Sequence, residues 1–330
     1  MNVSAFVPYM PITTGHYSKP MTKIHQTESG TDTVREFGDF VQSFQVDALG
    51  VRGRLVRLGD SVEEITGGGR YPKDVAELLA ETMALGTALA SGLKYDGVFT
   101  LQAQGNGPVK ILLADLTSGG DIRGYAQFNA DVLAETKDTG GGLVPRLLGG
   151  GYLAFTVDQG LETDRYQGIT ELTGATLADC AQTYFRVSEQ LETAIVLTAR
   201  RADDGAMRAA AFVVQKMPDA GPEGFDDPLE PWREATVLTS TVTAKELLDA
   251  DLVPADLLYR MFHERGVRVF ESMPLRHACR CSEDRVATTL ASFPRTEIEA
   301  MREDGVITVT CEFCGNDYVF DNDALERLFA

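Results

Sequence analysis

The sequence predicts an α+β protein with a large mixed α/β core domain, a helical linker and a small metal-binding C-terminal domain. Up to about residue 235, segments with strand-like alternation and short turns are interspersed with a few helical patterns. There is no regular βαβ repeat, which favours α+β over a parallel α/β fold. Four of the five cysteines lie in two close pairs near the C-terminus, as expected for a separate metal-binding unit.

Residues 1–31 are polar and lack apolar periodicity, so we expect a disordered N-terminal extension, with Met21 as an alternative start. Residues 32–235 form the predicted core. Pro72 is expected at the first position of a helix whose apolar face includes Val75 and Leu79. A second helix is expected from about 177 to 190. Strands are predicted at 51–58, 98–104, 109–116, 152–157, 194–199 and 209–214.

The linker is assigned to residues 236–275, with short helices near 244–250 and after Pro254 through 256–264. Their apolar sides are too small to be buried alone, so we expect the linker to pack on the core. Residues 276–330 form the predicted zinc-binding domain. Ser282 is a candidate N-cap for a helix through Ala291, another helix precedes Gly305, and 306–310 pairs with 318–320 as a hairpin.

Charge and composition narrow the partners and the compartment. Thirty basic and 49 acidic residues give a net charge of −19, which argues against nucleic acid or a membrane surface as the main partner. No segment approaches the roughly 18 apolar residues of a membrane span. The N-terminus lacks the pattern of a secretion signal, so we expect a cytoplasmic location.

Cys279, Cys281, Cys311 and Cys314 are the predicted zinc ligands. In the Cys-Glu-Phe-Cys turn, two thiolates three residues apart can reach one ion, and Gly315 supplies backbone freedom. Residues i and i+2 of an extended chain share a face, so Cys279 and Cys281 can converge as well. The 29 residues between the pairs suffice for two short helices that fold back. Tetrahedral coordination by four sulfurs is the expected result.

Three roles for the zinc are considered. The first is a purely structural ribbon, and the second, a nucleic-acid-binding ribbon, is disfavoured because residues 276–330 hold 6 basic and 11 acidic residues. The third is a redox switch, since zinc-bound thiolates are the form that oxidants attack and each pair is close enough to form a local disulfide. Oxidation would then expel the metal, and a domain this small would not stay folded.

No other constellation predicts an active site, so we do not expect an enzyme. Cys180 is expected to be a small buried thiol in a helix. His277 is expected at the surface or beside the ligands, and His263 as a packing or capping residue. Four histidines leave little material for a nucleophilic triad, and the glycine-rich loops lack a phosphate-binding motif.

The cysteine spacing and many other segments closely resemble the redox-regulated bacterial heat shock protein 33 family, also called the 33 kDa chaperonins. The similarity extends over about residues 33–330. It departs in the N-terminal tail, in the acidic turns 202–208 and 221–227, and at Glu192, where the family usually has proline. The resembling segments are Val51-Arg52-Gly53, 71–97, 101–109, 122–126, 166–169, 188–195, 257–264 and 281–286.

The resemblance implies an ATP-independent holdase that is inactive when reduced and zinc-bound. It also implies that oxidation pairs Cys279 with Cys281 and Cys311 with Cys314. Zinc then leaves, the linker unfolds, and the protein forms homodimers that bind unfolded client proteins. The client surface is expected to include the core face under the linker. The alternatives are a constitutive zinc-ribbon adaptor and a zinc hydrolase, which would need an open coordination position.

Overall fold

The computed structural model describes residues 37–137, 140–160, 165–218 and 225–328. The predicted N-terminal extension 1–31 and the first part of the predicted insertion 221–227 lie outside these residues. Within the described residues, no helix combines the length and apolar character needed to cross a lipid bilayer.

The chain contains fourteen named strands and ten α-helices in its described part. The strands are β1 (Phe40–Val46), β2 (Val51–Leu58), β3 (Val98–Gly105), β4 (Val109–Thr117), β5 (Asp121–Phe128), β6 (Gly151–Asp158), β7 (Tyr166–Glu171), β8 (Thr193–Arg201), β9 (Met207–Lys216), β10 (Arg268–Val269), β11 (Met273–Pro274), β12 (Arg276–His277), β13 (Ile307–Thr310) and β14 (Asp317–Phe320). The helices are α1 (Asp60–Thr66), α2 (Lys73–Ala90), α3 (Ala130–Glu135), α4 (Leu177–Tyr184), α5 (Glu230–Ser240), α6 (Ala244–Leu247), α7 (Pro254–Phe262), α8 (Glu283–Ala291), α9 (Arg295–Ala300) and α10 (Asn322–Leu328).

Two six-stranded sheets enclose helix α2, and the predicted α+β class is confirmed. Sheet A has the order β10-β1-β2-β9-β8, and β11 also pairs with β1. Sheet B has the order β12-β5-β4-β3-β6-β7. All pairings are antiparallel except that of β12 with β5. The strands predicted at 98–104 and 109–116 are β3 and β4, which pair as antiparallel neighbours in sheet B.

Helix α2 is the centre of the larger core because both of its sides face a sheet. Fourteen of its 18 residues are buried, and most are Ala, Leu or Val. Gly86 allows close approach, since a Cβ there would lie 3.3 Å from the Cβ of Leu101 on sheet B. Pro72 was expected inside the helix, but it is the N-cap with ψ 152°, and the helix begins at Lys73.

Sheet A is apolar on both faces, as β9 shows. Ala209, Ala211 and Val213 belong to the core around α2, whereas Ala210, Phe212 and Val214 belong to a second cluster on the outer face. Successive residues of a strand point to opposite faces, so this unbroken apolar run requires cover on both sides.

Helices α5–α7, called the helical cover here, bury the outer face of sheet A. The ring of Phe262 lies 5.7 Å from that of Phe44, which stacks on Phe212 at 5.4 Å. The helix expected at 244–250 ends at Leu247, because Leu248 leaves the helical conformation with ψ 5°. The helix expected at 256–264 begins at Pro254 and ends at Phe262. Its buried residues are Leu257, Leu258, Met261 and Phe262.

An edge strap, residues 268–278, leads from the helical cover into the C-terminal unit (residues 276–328). Strand β12 belongs to both segments. Strands β10 and β11 pair with β1 at the edge of sheet A, and β12 then pairs with β5 at the edge of sheet B. Helix α5 runs across the predicted boundary between residues 235 and 236. The domain limits themselves stay predictions.

The C-terminal unit has a small core of its own. Ser282 accepts a hydrogen bond from the backbone N–H of Arg285 and caps α8, as predicted. Strands β13 and β14 form the predicted hairpin, and α10 follows it. The buried cluster has five members, which are Leu290, Ile298, Ile307, Phe320 and Leu325.

Candidate metal centre

The four predicted ligands come together at one end of the C-terminal unit. The sulfurs of Cys279, Cys281, Cys311 and Cys314 all lie within 4.8 Å of one another. The Cys279 and Cys311 sulfurs are 3.7 Å apart, and those of Cys281 and Cys314 are 3.4 Å apart. Tetrahedral zinc with bonds of about 2.3 Å requires sulfurs about 3.8 Å apart, so the cluster fits such an ion. Zinc as the ion stays a prediction.

Two loops position these sulfurs. Cys279 and Cys281 follow β12, and the backbone N–H of Ala278 donates to Ile122 O on β5 at 3.0 Å. Cys311 follows β13 and begins a tight turn in which the N–H of Gly315 donates to Cys311 O at 2.7 Å. Gly315 has φ 73°, the left-handed conformation that glycine adopts without a steric penalty. The predicted need for glycine after the second pair is therefore met.

The thiols differ in their tendency to ionise. Burial alone would raise the pKa of Cys281, but hydrogen bonds from Tyr318, whose Oη lies 3.0 Å away, and from neighbouring thiols lower the pKa to about 7. Burial and hydrogen bonds to the other cysteines raise the pKa of Cys314 to about 12. Burial also raises the pKa of Cys279. Because thiols bind a metal ion as thiolates, the raised pKa values of Cys279 and Cys314 mean that binding of a divalent cation displaces protons.

The residues between the sulfurs contact the core. The Arg280 guanidinium lies 2.5 Å from the Asp115 carboxylate on β4, and Asp115 also pairs with Arg123 on β5 at 2.7 Å. The Arg123 guanidinium lies 3.9 Å from the centre of the Phe313 ring. Sequence reasoning missed Asp115 and Arg123, because neither residue shows a local signal and Arg280 is 165 residues from Asp115.

The remaining candidates are not members of the four-sulfur cluster. Cys180 is fully buried, as predicted, and burial raises the pKa of its thiol. The Nδ1 atom of His277 lies 3.0 Å from the Glu64 carboxylate, so this side chain faces α1 of the core. His263 follows α7, and its Nδ1 lies 3.2 Å from Tyr259 O, consistent with the predicted capping role.

Comparisons with known proteins agree with this architecture. The family model described as Hsp33 protein matches residues 39–321. The 33 kDa chaperonin of Caulobacter vibrioides is 40% identical over 290 residues, covering 86% of this chain and 95% of the relative. The 33 kDa chaperonin of Pseudomonas fluorescens is 38% identical over 294 residues, covering 88% and 94%. The crystal structure of the Thermotoga maritima 33 kDa chaperonin superposes with a TM-score of 0.73 at 24% identity, covering 89% and 98%.

Proposed function

The chain belongs to the Hsp33 family, and we propose that it is a cytoplasmic, redox-regulated holdase that works without ATP. One observation carries the proposal: an apolar face of the core lies under helices that lead, through the edge strap, directly to a four-sulfur site. In the reduced, zinc-bound form the helical cover hides this face and the protein is inactive. Oxidation removes the cover and lets the face bind unfolding proteins.

The oxidation step requires a two-electron oxidant, and a peroxide can serve as one. Two hydrogen peroxide molecules and four protons oxidise four thiolates to two disulfides, producing four water molecules, and the zinc ion is released when its ligands are lost. Formation of each disulfide transfers two electrons from one cysteine pair to one peroxide molecule. The sulfurs are half-buried, so a small oxidant can reach them. Thiolates are the form that reacts with peroxides.

The family resemblance implies the disulfides Cys279–Cys281 and Cys311–Cys314, and we propose these pairings for this chain. Bridges across the two loops would keep the C-terminal unit tied together in place of the metal. Bridges within each loop leave the loops free to separate, and the five-residue buried cluster is too small to hold them. Loss of this unit frees the edge strap and then the helical cover. The exposed faces would also allow homodimers to form around bound clients.

The decisive experiment follows metal, disulfides and holdase activity in one sample. The reduced protein is treated with peroxide at mildly elevated temperature. We expect metal release, intra-pair disulfides by peptide mass spectrometry, and suppression of the aggregation of an unfolding client only after oxidation. A Cys180→Ala variant serves as the control and should respond in the same way. Equal suppression before and after oxidation would instead indicate a constitutive adaptor.

A further inference from the structure

The two cysteine loops hold the C-terminal unit on the core through the residues between the sulfurs. Arg280 is the middle residue of Cys-Arg-Cys, and Phe313 lies inside Cys-Glu-Phe-Cys. Both side chains point to the outer face of sheet B. In the described part of the chain, none of the four sulfurs makes a hydrogen bond to sheet B, so a change at the sulfurs reaches the core through these neighbouring side chains and through the pairing of β12 with β5.

Asp115 is the residue of the core to which Arg280 binds. It lies in the middle of sheet B, where its side chain is 5% exposed. Its Oδ1 accepts from Thr100 at 2.6 Å, and its Oδ2 accepts from Arg123 at 2.7 Å and from Arg280 at 2.5 Å. Thr100, Asp115 and Arg123 are cross-strand neighbours on β3, β4 and β5. A buried, charge-assisted pair of this kind depends strongly on geometry.

Phe313 makes the second contact. Its ring lies over the Arg123 guanidinium and 5.9 Å from the ring of Tyr125. Its carbonyl oxygen accepts a hydrogen bond from Arg70 at 2.9 Å. Arg123 therefore contacts both Asp115 and Phe313, which joins the two loops into one binding surface. We call Arg70, Asp115, Arg123 and Tyr125 the docking patch.

The positions of Arg280 and Phe313 depend on the sulfurs. When Cys279 and Cys281 converge on one metal, the side chain between them leaves from the opposite side of the chain. An S–S bond of about 2.05 Å requires sulfurs much closer than those of a tetrahedral site, and Cα atoms usually about 5.5–6 Å apart. Residues i and i+2 of an extended strand are about 6.6 Å apart, near the upper limit for a disulfide, so closing this bond favours a bend of the chain at Arg280.

We propose that the docking patch reads the state of the metal centre and that undocking of Arg280 and Phe313 is the step that starts release of the edge strap. The inference rests on the proposed function for its biological meaning, but the docking itself does not require it. Strand β12 begins only three residues before Cys279. When Arg280 leaves Asp115, the short pairing of β12 with β5 loses its anchor. Detachment then proceeds through β11 and β10 toward α7.

The test uses Asp115→Asn in the reduced, metal-loaded protein. We expect one metal per chain, as in the wild type, because the ligands are intact. Hydrogen exchange at the N–H of Ala278, which donates to Ile122 O, should be at least ten times faster. Peroxide-induced opening of the helical cover, followed by fluorescence of the single tryptophan, Trp232 on α5, should be at least three times faster.

Two further variants keep the test sharp if Asp115→Asn disturbs the core. Arg280→Met removes the same contact from outside the sheet and should match Asp115→Asn, and the double variant should add nothing further. Asp121→Asn is the matched control, because Asp121 makes an exposed pair with Arg276 at the same interface. It should change both rates less than twofold.

The proposal is overturned if Ala278 exchanges at the wild-type rate in both Asp115→Asn and Arg280→Met. Equal effects of Asp115→Asn and Asp121→Asn would also overturn it, since diffuse charge would then account for docking. Failure of the oxidised wild type to suppress client aggregation would count against the proposed function alone. The exchange rates test the docking patch whether or not holdase activity is found.

Discussion

The core is covered on two opposite sides by segments of opposite chemistry. The helical cover lies on sheet A and presents Leu257, Leu258, Met261 and Phe262 to an apolar face. The C-terminal unit lies on sheet B, where its contacts are mainly ion pairs, hydrogen bonds and the Arg123–Phe313 interaction. Apolar burial is non-directional and survives small shifts, whereas the docking patch requires defined positions.

This difference suggests a division of labour. In the proposed mechanism, the directional contact suits the segment that responds to a change at the four sulfur atoms, because a shift at Arg280 disrupts it. The apolar contact suits the segment proposed to hide the surface that binds unfolding proteins. The edge strap connects the two, since it pairs with β1 of sheet A and β5 of sheet B.

The largest effect is expected from Cys281→Ser, which removes one of the four proposed zinc ligands. Structural zinc sites contribute an apparent 10–16 kcal/mol or so in small domains, far more than five buried side chains can replace. We expect loss of the metal and unprotected amides throughout α8–α10, while α2 and β9 stay protected. Metal analysis with hydrogen exchange checks this. Cys180→Ala should keep its metal, and protected α8 amides in Cys281→Ser would contradict the expectation.

Phe262→Ala should weaken the packing of the helical cover on sheet A without changing the four-sulfur site. Phe262 is 1% exposed and lies against Phe44, so its truncation should cost about 3–5 kcal/mol. We expect faster exchange of the α7 amides and binding of an apolar dye by the reduced protein, with metal content unchanged. Tyr259→Ala on the same helix removes a ring that is 61% exposed and is the control. Similar effects of the two variants would show that α7 does not cover sheet A through Phe262.

The sequence was sufficient for the features that depend on local pattern. Cysteine spacing predicted the sulfur cluster, and alternation predicted β2, β3, β4, β6, β8 and β9. Strand β1, strands β5 and β7 and the short strands β10–β12 were not predicted, and β5 and β7 each contain a glycine, Gly124 and Gly168. Both are close-approach sites: a Cβ at Gly124 would lie 2.8 Å from the Met83 sulfur, and one at Gly168 would lie 2.0 Å from the Tyr184 hydroxyl.

Contacts between residues far apart in the sequence could not be predicted, for a different reason. Alternation places Arg280 on the side of the chain away from the sulfurs, but no local sequence signal indicates that Asp115 lies there. The helix predicted to reach residue 190 has its last α-helical residue at Tyr184 and continues as one wider turn to Glu189. Gln190 then takes φ 55°, which ends it. Tyr166 and Tyr184 both donate to Glu189 at this turn, a network set by tertiary packing.

Acid should loosen the helical cover through Glu246. Hydrogen bonds from Arg260 and then from Thr243 outweigh burial and lower the pKa of Glu246 from 4.5 to about 2. The stabilisation is therefore present above about pH 4.5 and is lost as the pH falls toward about 2. After allowance for solvent screening we expect about 1 kcal/mol. Glu246→Gln should reduce the protection of α6 and α7 amides at pH 7, and its difference from the wild type should shrink toward pH 3. A difference that does not depend on pH would contradict the role of the carboxylate.

The smallest effect is expected from salt, which distinguishes the forces that hold the helical cover from those that hold the C-terminal unit. Raising sodium chloride from 0.05 to 0.5 M shortens the Debye length from about 14 to about 4 Å, which screens exposed pairs. The Arg276–Asp121 pair is 75% and 27% exposed, so salt should weaken docking of the C-terminal unit by less than about 1 kcal/mol. The effect of salt on docking stays small because the buried Asp115 carboxylate is shielded from dissolved ions, so its pair with Arg280 is little screened. Exchange at Ala278 should rise by less than about twofold, whereas in Glu246→Gln, which lacks the ion pair of Glu246 with Arg260, exchange in α7 should not rise. Sodium sulfate at equal ionic strength should protect α7, because it strengthens apolar burial. Equal responses of Ala278 and α7 to both salts would mean that the two covers are held by the same forces.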